Sequence, residues 1–292
     1  MKTITILSGK GGVGKSSITA SLAITLAKRR RIICADCDVD ASNLALVFGI
    51  KEKDFEEYLP ISTIQKAVFD LSKCNSCRKC FEECYFDAIE LVNDKPKLKE
   101  FSCEGCGVCQ LVCPVDAIKL VDEKNAKIGY AKTKYGFRIF SAQLDVGASG
   151  SGKIVSAVKK KAEALAQDAE IMLVDSSAGV GCPVIASVSG SDYALLVTEP
   201  TPSGFSDMKR AIKIVNHFNI PYGIVVNKHD INEEYTKRIE EFAEKNNAQI
   251  LSKIPYDKAF VKALVNLVPV VVFDKKYEKL FEEIGSKILL RL

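Results

Sequence analysis

The sequence predicts an α/β protein, a mostly parallel sheet flanked by helices, interrupted by a small cysteine-rich α+β insertion. Three observations carry that prediction. Short, near-continuous apolar runs rich in β-branched residues alternate with helical periodicity through both ends of the chain, as in a parallel sheet covered on both faces. The glycine-rich stretch SGKGGVGKSS follows the first of these runs. Between about residues 58 and 136 the alternation stops, and eight of the eleven cysteines take its place.

The strand-like runs are residues 3–7, 31–35, 170–174, 193–198 and 222–226, and the helical stretches include 15–28, 154–166 and 207–217. Lys28, Arg29, Arg30 and Arg31 fall at the last turn of the first helix, where cations complement the helix dipole. They do not read as a nucleic-acid patch, and a formal net charge of +4 does not ask for one. With 292 residues, 47% of them hydrophobic, the chain can bury a large core beside a small second domain. Eleven cysteines and an apolar strand starting close behind Met1 predict a reducing, cytoplasmic setting. No apolar run approaches the roughly 18 residues of a membrane span. Residues 261–273 come nearest and are broken by Lys262, Asn266 and Pro269. Residues 277–292 are amphipathic, with Leu280, Ile284, Ile288 and Leu289 on one face, and are expected to pack on the core rather than on a membrane.

The expected division is a discontinuous nucleotide domain, residues 1–57 and 137–292, around an insertion at 58–136. The insertion repeats internally at a period of 29 residues: CNSCRKCFEECYFDAIELV from Cys74 aligns with CEGCGVCQLVCPVDAIKLV from Cys103. After it the host resumes with the strand-like residues 137–144.

Gly9, four residues, Gly14, Lys15 and Ser16 fit the Walker A pattern between a strand and a helix. The glycines let backbone N–H groups converge on phosphate, Lys15 is expected to reach the β and γ phosphates, and the Ser16 hydroxyl is expected to ligate Mg²⁺. Gly9, Lys10, Gly11, Gly12, Val13, Gly14, Lys15, Ser16 and Ser17 are the candidate nucleotide contacts. Residues 147–153, GASGSGK, start the same pattern but continue with Ile154, which has no hydroxyl for a metal; they read as a helix-start loop.

The extra lysine makes KGGVGKS resemble the deviant Walker A of the MinD, ParA, Mrp and nitrogenase iron protein superfamily. That resemblance extends along nearly the whole chain. It implies that Lys10 crosses a dimer interface to the partner's nucleotide, the dimer being of identical or related chains. Asp36, Asp38 and Asn43 resemble the superfamily's switch I, with Asp38 positioning the attacking water and Asp36 near the metal. Asp175 in ILVDSSAG-like IMLVDSSAG resembles the switch II aspartate that holds Mg²⁺ through water. The base is expected at Asn227 and at Pro255, Tyr256 and Asp257. Asn227-Lys228-His229-Asp230 also satisfies the guanine-reading NKxD pattern, but the superfamily favours ATP over GTP; Asp230 has the further option of capping the helix that begins near Asn232.

The spacing CxxCxxCxxxC, present twice, matches bacterial two-cluster ferredoxins, which hold two 4Fe-4S clusters and whose fourth cysteine serves the other cluster. Carried over, this resemblance implies one cluster on Cys74, Cys77, Cys80 and Cys113, and another on Cys103, Cys106, Cys109 and Cys84. Structural zinc also uses CxxC pairs, but it does not call for a third cysteine at the same interval twice over. Tyr85 stands where Pro114 stands in the second copy, so the two cluster environments are expected to differ. Cys34 and Cys37 read as small buried fillers. Cys182 shares its spacing after Asp175 with a cluster ligand of the nitrogenase iron protein, and pairing of two copies across a dimer axis is the alternative to an ordinary surface position. Neither His217 nor His229 reads as a ligand.

The expected function is an ATPase whose dimer switching is coupled to electron transfer through two 4Fe-4S clusters, with ATP, Mg²⁺ and a redox protein as partners. The alternative is an assembly or carrier ATPase for iron-sulfur clusters or another metallocofactor. A positioning role of the MinD kind leaves eight cysteines without a task.

Overall fold

A computed structural model describes residues 1–292. In chain order its strands are β1 (Lys2–Ser8), β2 (Ile32–Cys37), β3 (Glu56–Phe69), β4 (Ile89–Val92), β5 (Lys95–Leu98), β6 (Ile118–Lys132), β7 (Arg138–Leu144), β8 (Ile171–Ala178), β9 (Tyr193–Thr198), β10 (Tyr222–Asn227) and β11 (Gln249–Ile254). The helices are α1 (Lys15–Ala27), α2 (Leu44–Val47), α3 (Lys79–Glu82), α4 (Val108–Leu111), α5 (Gly152–Leu165), α6 (Cys182–Val188), α7 (Pro202–His217), α8 (Glu233–Lys245), α9 (Lys258–Val265), α10 (Val270–Phe273) and α11 (Glu278–Leu289).

A nine-stranded sheet has the order β11-β10-β9-β1-β8-β2-β7-β6-β3. From β11 to β7 neighbouring strands run parallel. Every residue of β2 and β9 is buried, which is why these strands read as unbroken apolar runs. The sheet order reverses around β1, which lies between β8 and β9. Ligands of open α/β sheets bind beyond the carboxyl ends of strands at such a switch point. Register carries chemistry there as well: Asp36 on β2 sits opposite Asp175 on β8, and Ile6 of β1 opposite the same Asp175.

β3 and β6 were not foreseen. Their burial alternates irregularly between exposed and covered positions, so neither shows a continuous apolar run. β6 turns into its sheet neighbour β7 through residues 133–137, with Thr133 N–H donating to the Phe137 carbonyl at 2.8 Å and Gly136 at φ 90°. So short a connection between adjacent strands makes this pair an antiparallel hairpin at the end of the parallel array.

The chain separates into two compact units: residues 1–59, 128–143 and 150–292 form one, and residues 60–127 with 144–149 the other. In the first, α11 buries Phe281, Ile284 and Ile288 completely in the cluster that also contains Leu22 and Leu26 of α1. Each such side chain contributes about 1.5–3 kcal/mol. Its amphipathic face is therefore committed to the core, and Lys28, the C-cap of α1, pairs with Glu278 and Glu282 at its start. No helix is long and apolar enough to cross a membrane.

The second unit is a pair of structural echoes. β4 and β5 form an antiparallel hairpin turning at Asn93 and Asp94, both left-handed (φ 50° and 57°), as a two-residue primed turn requires. Ser76 and Arg78 (φ 60° and 61°) match Gly105 and Gly107 (67° and 84°) one period later, and Asp87 matches Asp116 at 50° each. Ala67, Cys80, Ile89 and Ile118 form the buried centre, with Cys84, Cys103, Cys109 and Cys113 packed against it.

Candidate functional site

The loop after β1 turns at Gly12 and Gly14, with φ 79° and 91°, where only glycine is unstrained. Gly14 is the N-cap of α1 and offers no side chain, so the first-turn N–H groups of a 13-residue helix face open space rather than a cap. A Cβ at Gly11 or Gly12 would meet nothing within 4 Å, whereas at Gly9 it would stand 2.1 Å from the Asp207 carbonyl oxygen. Glycine is thus needed for packing at position 9 and for conformation at 12 and 14. The loop lines a cleft together with Lys15, Ser16, Ser17, Asp38 and Asn43, and with Leu46, Val47, Leu264 and Leu267 at its apolar side.

Two carboxylates meet one ammonium beside this cleft, and Asp36 adds its charge nearby. Lys15 Nζ lies 2.9 Å from Asp175 Oδ1 and 3.7 Å from Asp38 Oδ2. Thr19, a residue without a signal in the sequence, donates its hydroxyl to the same Asp175 oxygen at 2.9 Å. Asp175 Oδ2 is buried without a partner. Burial alone would lower the Lys15 pKa, but Asp175, Asp38 and Asp36 outweigh it and hold it above the ordinary lysine value. Burial, then the charge of Asp175, push the Asp36 carboxyl well up. Burial also raises Asp38, against the pull of Lys15. An unpartnered carboxylate oxygen in an oxygen-rich pocket with surplus negative charge fits a hard divalent cation, with the Ser16 hydroxyl in the same cleft.

Asp36, expected near the metal, sits opposite Asp175 across β2 and β8. Both of its oxygens are taken by backbone N–H groups, Oδ1 by Asp38 at 3.2 Å and Oδ2 by Leu44 at 3.0 Å. It shapes the loop that presents Asp38. Lys10, in turn, donates to Glu199 Oε1 of its own chain at 3.0 Å, while Lys228 donates to Glu199 Oε2 at 2.9 Å. Burial would raise the Glu199 pKa, but these two ammonium groups outweigh it and lower it. Glu199 was missed in the sequence; the available signal was an acid placed directly after the wholly buried β9.

In the other unit the eight cysteines line two cavities. Cys74, Cys77, Cys80 and Cys113 line one, and Cys84, Cys103, Cys106 and Cys109 line the other. Each cavity therefore takes three thiols from one repeat and the fourth from the other. The chain returns symmetrically, with Ala88 N–H donating to Cys84 Sγ and Ala117 N–H to Cys113 Sγ, both at 3.3 Å. No three His, Cys, Asp or Glu side chains are grouped to hold a single metal ion, and all eleven cysteines are free thiols.

Residues 4–270 match the CobQ/CobB/MinD/ParA nucleotide binding domain. The chain belongs to that family. It is a MinD/ParA-type P-loop ATPase, 38% identical over 98% of its length, and 95% of the relative's, to an uncharacterised protein of Methanocaldococcus jannaschii, MJ0578. It is similar, at 24% identity over 99% of this chain and 86% of the other, to an iron-sulfur cluster carrier protein of Pyrococcus furiosus. The septum site-determining protein MinD of Pyrococcus horikoshii, solved with Mg-ADP, shares the fold with a TM-score of 0.61 and 17% identity, over 98% of this chain and 95% of that one.

The segments of this MinD/ParA-type ATPase expected around the base are engaged by the protein itself. Asn227, buried, donates from Nδ2 to the Val13 carbonyl at 2.7 Å and so braces the phosphate loop; a Cβ on Gly14 would come within 2.5 Å of that nitrogen. Lys228 Nζ donates to the Gly12 carbonyl at 3.2 Å. Asp230 does not cap the next helix: its Oδ1 accepts from Tyr256 N–H at 2.6 Å, and Asn232 caps α8 by accepting from Tyr235 N–H at 3.1 Å. Pro255 and Tyr256 are exposed between β11 and α9. Asp257 is the N-cap of α9, accepting from Ala259 N–H at 2.7 Å, and it also takes Lys276 at 2.6 Å and the Tyr277 hydroxyl at 2.7 Å.

Those contacts, Lys276 first, hold the Asp257 carboxyl far below its ordinary value of 3.8. Its stabilising contribution is then fully present above 3.8 and fades as pH falls toward the depressed folded value. Asp257→Asn is expected to lower the melting temperature by a few degrees at pH 7, with the difference from wild type shrinking in acid, as thermal unfolding followed across pH would show.

Cys34 and Cys37 are fully buried, and burial raises both thiols, Cys34 well above the ordinary range, so they act as fillers. Cys182 is exposed at the start of α6. The loop at 147–153 leads into α5 with Ser151 as N-cap, accepting from Ile154 N–H at 3.4 Å. Lys159 of α5 is buried, and its ammonium donates to the carbonyls of Ala186, Ser187 and Ser189 at the far end of α6. His217 closes α7 and His229 N–H donates to Ile254.

Proposed function

We propose that this ATPase holds two 4Fe-4S clusters in an inserted ferredoxin domain and couples nucleotide-driven dimer switching to electron transfer. The observation that carries the reading is the crossed ligand set: each thiol-lined cavity draws its fourth cysteine from the opposite repeat, the arrangement of two-cluster ferredoxins. A third cysteine at the same short interval in each repeat suits a cluster better than one zinc ion, whose tetrahedral sites are met by CxxC pairs. Bound clusters would supply low-potential one-electron chemistry. The protein's part is to supply the thiolates and the surrounding charge.

In the nucleotide domain, Lys15 would exchange Asp175 for the β and γ phosphates, and Ser16 and, through water, the freed Asp175 would hold Mg²⁺, with Asp36 near it. Asp38 orients the attacking water from the loop that Asp36 fixes. Lys10 leaves Glu199 to reach the nucleotide of a partner, an identical or related chain. Asn227 and residues 255–257 flank the base, with ATP preferred over GTP. Neither a nucleic acid nor a membrane is required as partner.

A second reading, cluster carriage, is favoured by one observation: the relatives named iron-sulfur cluster carrier proteins align with 99% of this chain. Anaerobic purification, iron counting and electron paramagnetic resonance with and without ATP separate the two. Electron transfer predicts about eight irons per chain that stay bound while their signals shift with ATP. Iron moving to an apo-acceptor on ATP addition selects carriage, and zinc in place of iron removes both.

A further inference from the structure

Resting on the cluster reading, the structure assigns unequal electron affinity to the two thiol-lined cavities: we infer that Arg78 and Lys95 make the Cys74/Cys77/Cys80/Cys113 cavity the preferred electron resting place. The internal repeat supplies the comparison. Asn75, Ser76 and Arg78 line the first cavity where Glu104, Gly105 and Gly107 line the second. Lys95 adds a part-buried ammonium 2.6 Å from the Cys74 carbonyl oxygen, while Lys124, one period later, is exposed.

Asp94 also lines the first cavity and pairs with Arg78, cancelling one positive charge and leaving the other in excess. At the second cavity Glu104 leaves one negative charge. Net charge, hydrogen bonds to sulfur and solvent exposure set the potential of such centres. Hydrogen bonding is matched, since each cavity has one ligand sulfur accepting a backbone N–H at 3.3 Å. Cys77 and Cys106 are the exposed ligands, one per cavity, while Cys80 is buried and its counterpart Cys109 is half-buried. That deeper burial works against reduction of the first cluster, so the charge difference is what carries the assignment. Arg78 also occupies a left-handed position, φ 61°, that its counterpart fills with glycine at 84°. Ser76 shares that feature with Arg78, but of the two only Arg78 brings a charge to the cavity.

The exchange is one electron: the second cavity's cluster is oxidised as the first is reduced, with no bond or proton moved. A tenfold preference for the first corresponds to about 59 mV between the two waves. The test is a reductive titration of the anaerobically reconstituted full chain, followed by electron paramagnetic resonance. Two one-electron waves are expected. Arg78→Gln and Arg78→Gly should both lower the upper wave by the same shift, because charge and not backbone strain is responsible, while Glu104→Gln should raise the lower wave. Coincident wild-type waves, or Arg78 variants that move the lower wave, overturn the assignment while leaving the cluster reading intact. A chain that reconstitutes without about eight irons overturns the cluster reading itself, and the assignment with it.

Discussion

Changing Lys15 to glutamine is expected to reduce ATP hydrolysis at least about a hundredfold, the scale seen when a preorganised group that stabilises developing charge is removed. The same change should destabilise the nucleotide-free protein by about 3–5 kcal/mol, because it strips a buried carboxylate of its counter-charge. Lys15 and Asp175 are 7% and 1% exposed and 2.9 Å apart, so solvent does little to screen the loss. The folded lysine pKa is raised above 10.5, so its stabilisation is complete through neutral pH and is lost only as pH rises past that raised value. The Asp36 and Asp38 carboxyls are raised, so folding disfavours their charged forms, and acid that protonates them relieves the repulsion. The variant should therefore recover part of its deficit as pH falls through the raised values of these carboxyls. Phosphate release and urea unfolding across pH measure both effects; hydrolysis at the wild-type rate would remove Lys15 from the chemistry.

The crossed cavities give the second large effect. Cys80→Ser and Cys113→Ser should each reduce bound iron from about eight to about four per chain and leave the same surviving signal. Their double variant should lose no more, since both act on one cavity. Cys84→Ser should spare the other cluster, and Cys84→Ser combined with Cys113→Ser should empty both. Ligation within each repeat would reverse the grouping, so that Cys80 and Cys84 shared a fate. Iron and sulfide analysis with spectroscopy distinguishes the two patterns.

Much of the nucleotide unit was legible because its physics is local. β9, buried throughout, announces itself as an unbroken apolar run, and glycines at positive φ with a lysine and a hydroxyl after them mark the phosphate loop. β3 and β6 were not legible, since half-exposed strands scatter their apolar residues. Thr19 reaches Asp175 and Glu199 reaches Lys10, 156 and 189 residues distant, which no local pattern signals. Asp230 and Asp257 were ambiguous for the converse reason: an aspartate holding a backbone N–H looks the same in sequence as one facing a ligand. The cysteine crossing could be expected only through resemblance, because spacing within a repeat does not say where its last thiol points.

The grip of Lys159 on the carbonyls of Ala186, Ser187 and Ser189 has a mechanical consequence for α6. Sliding that helix along its axis would strand an ammonium in apolar surroundings, at a cost of several kcal/mol. Pivoting about the anchored end preserves the contacts, and the opposite end follows Gly179, at φ 100°, and Gly181. The segment after Asp175 is thus tethered at its far end by one ammonium, while its glycine-flanked start carries no such tether.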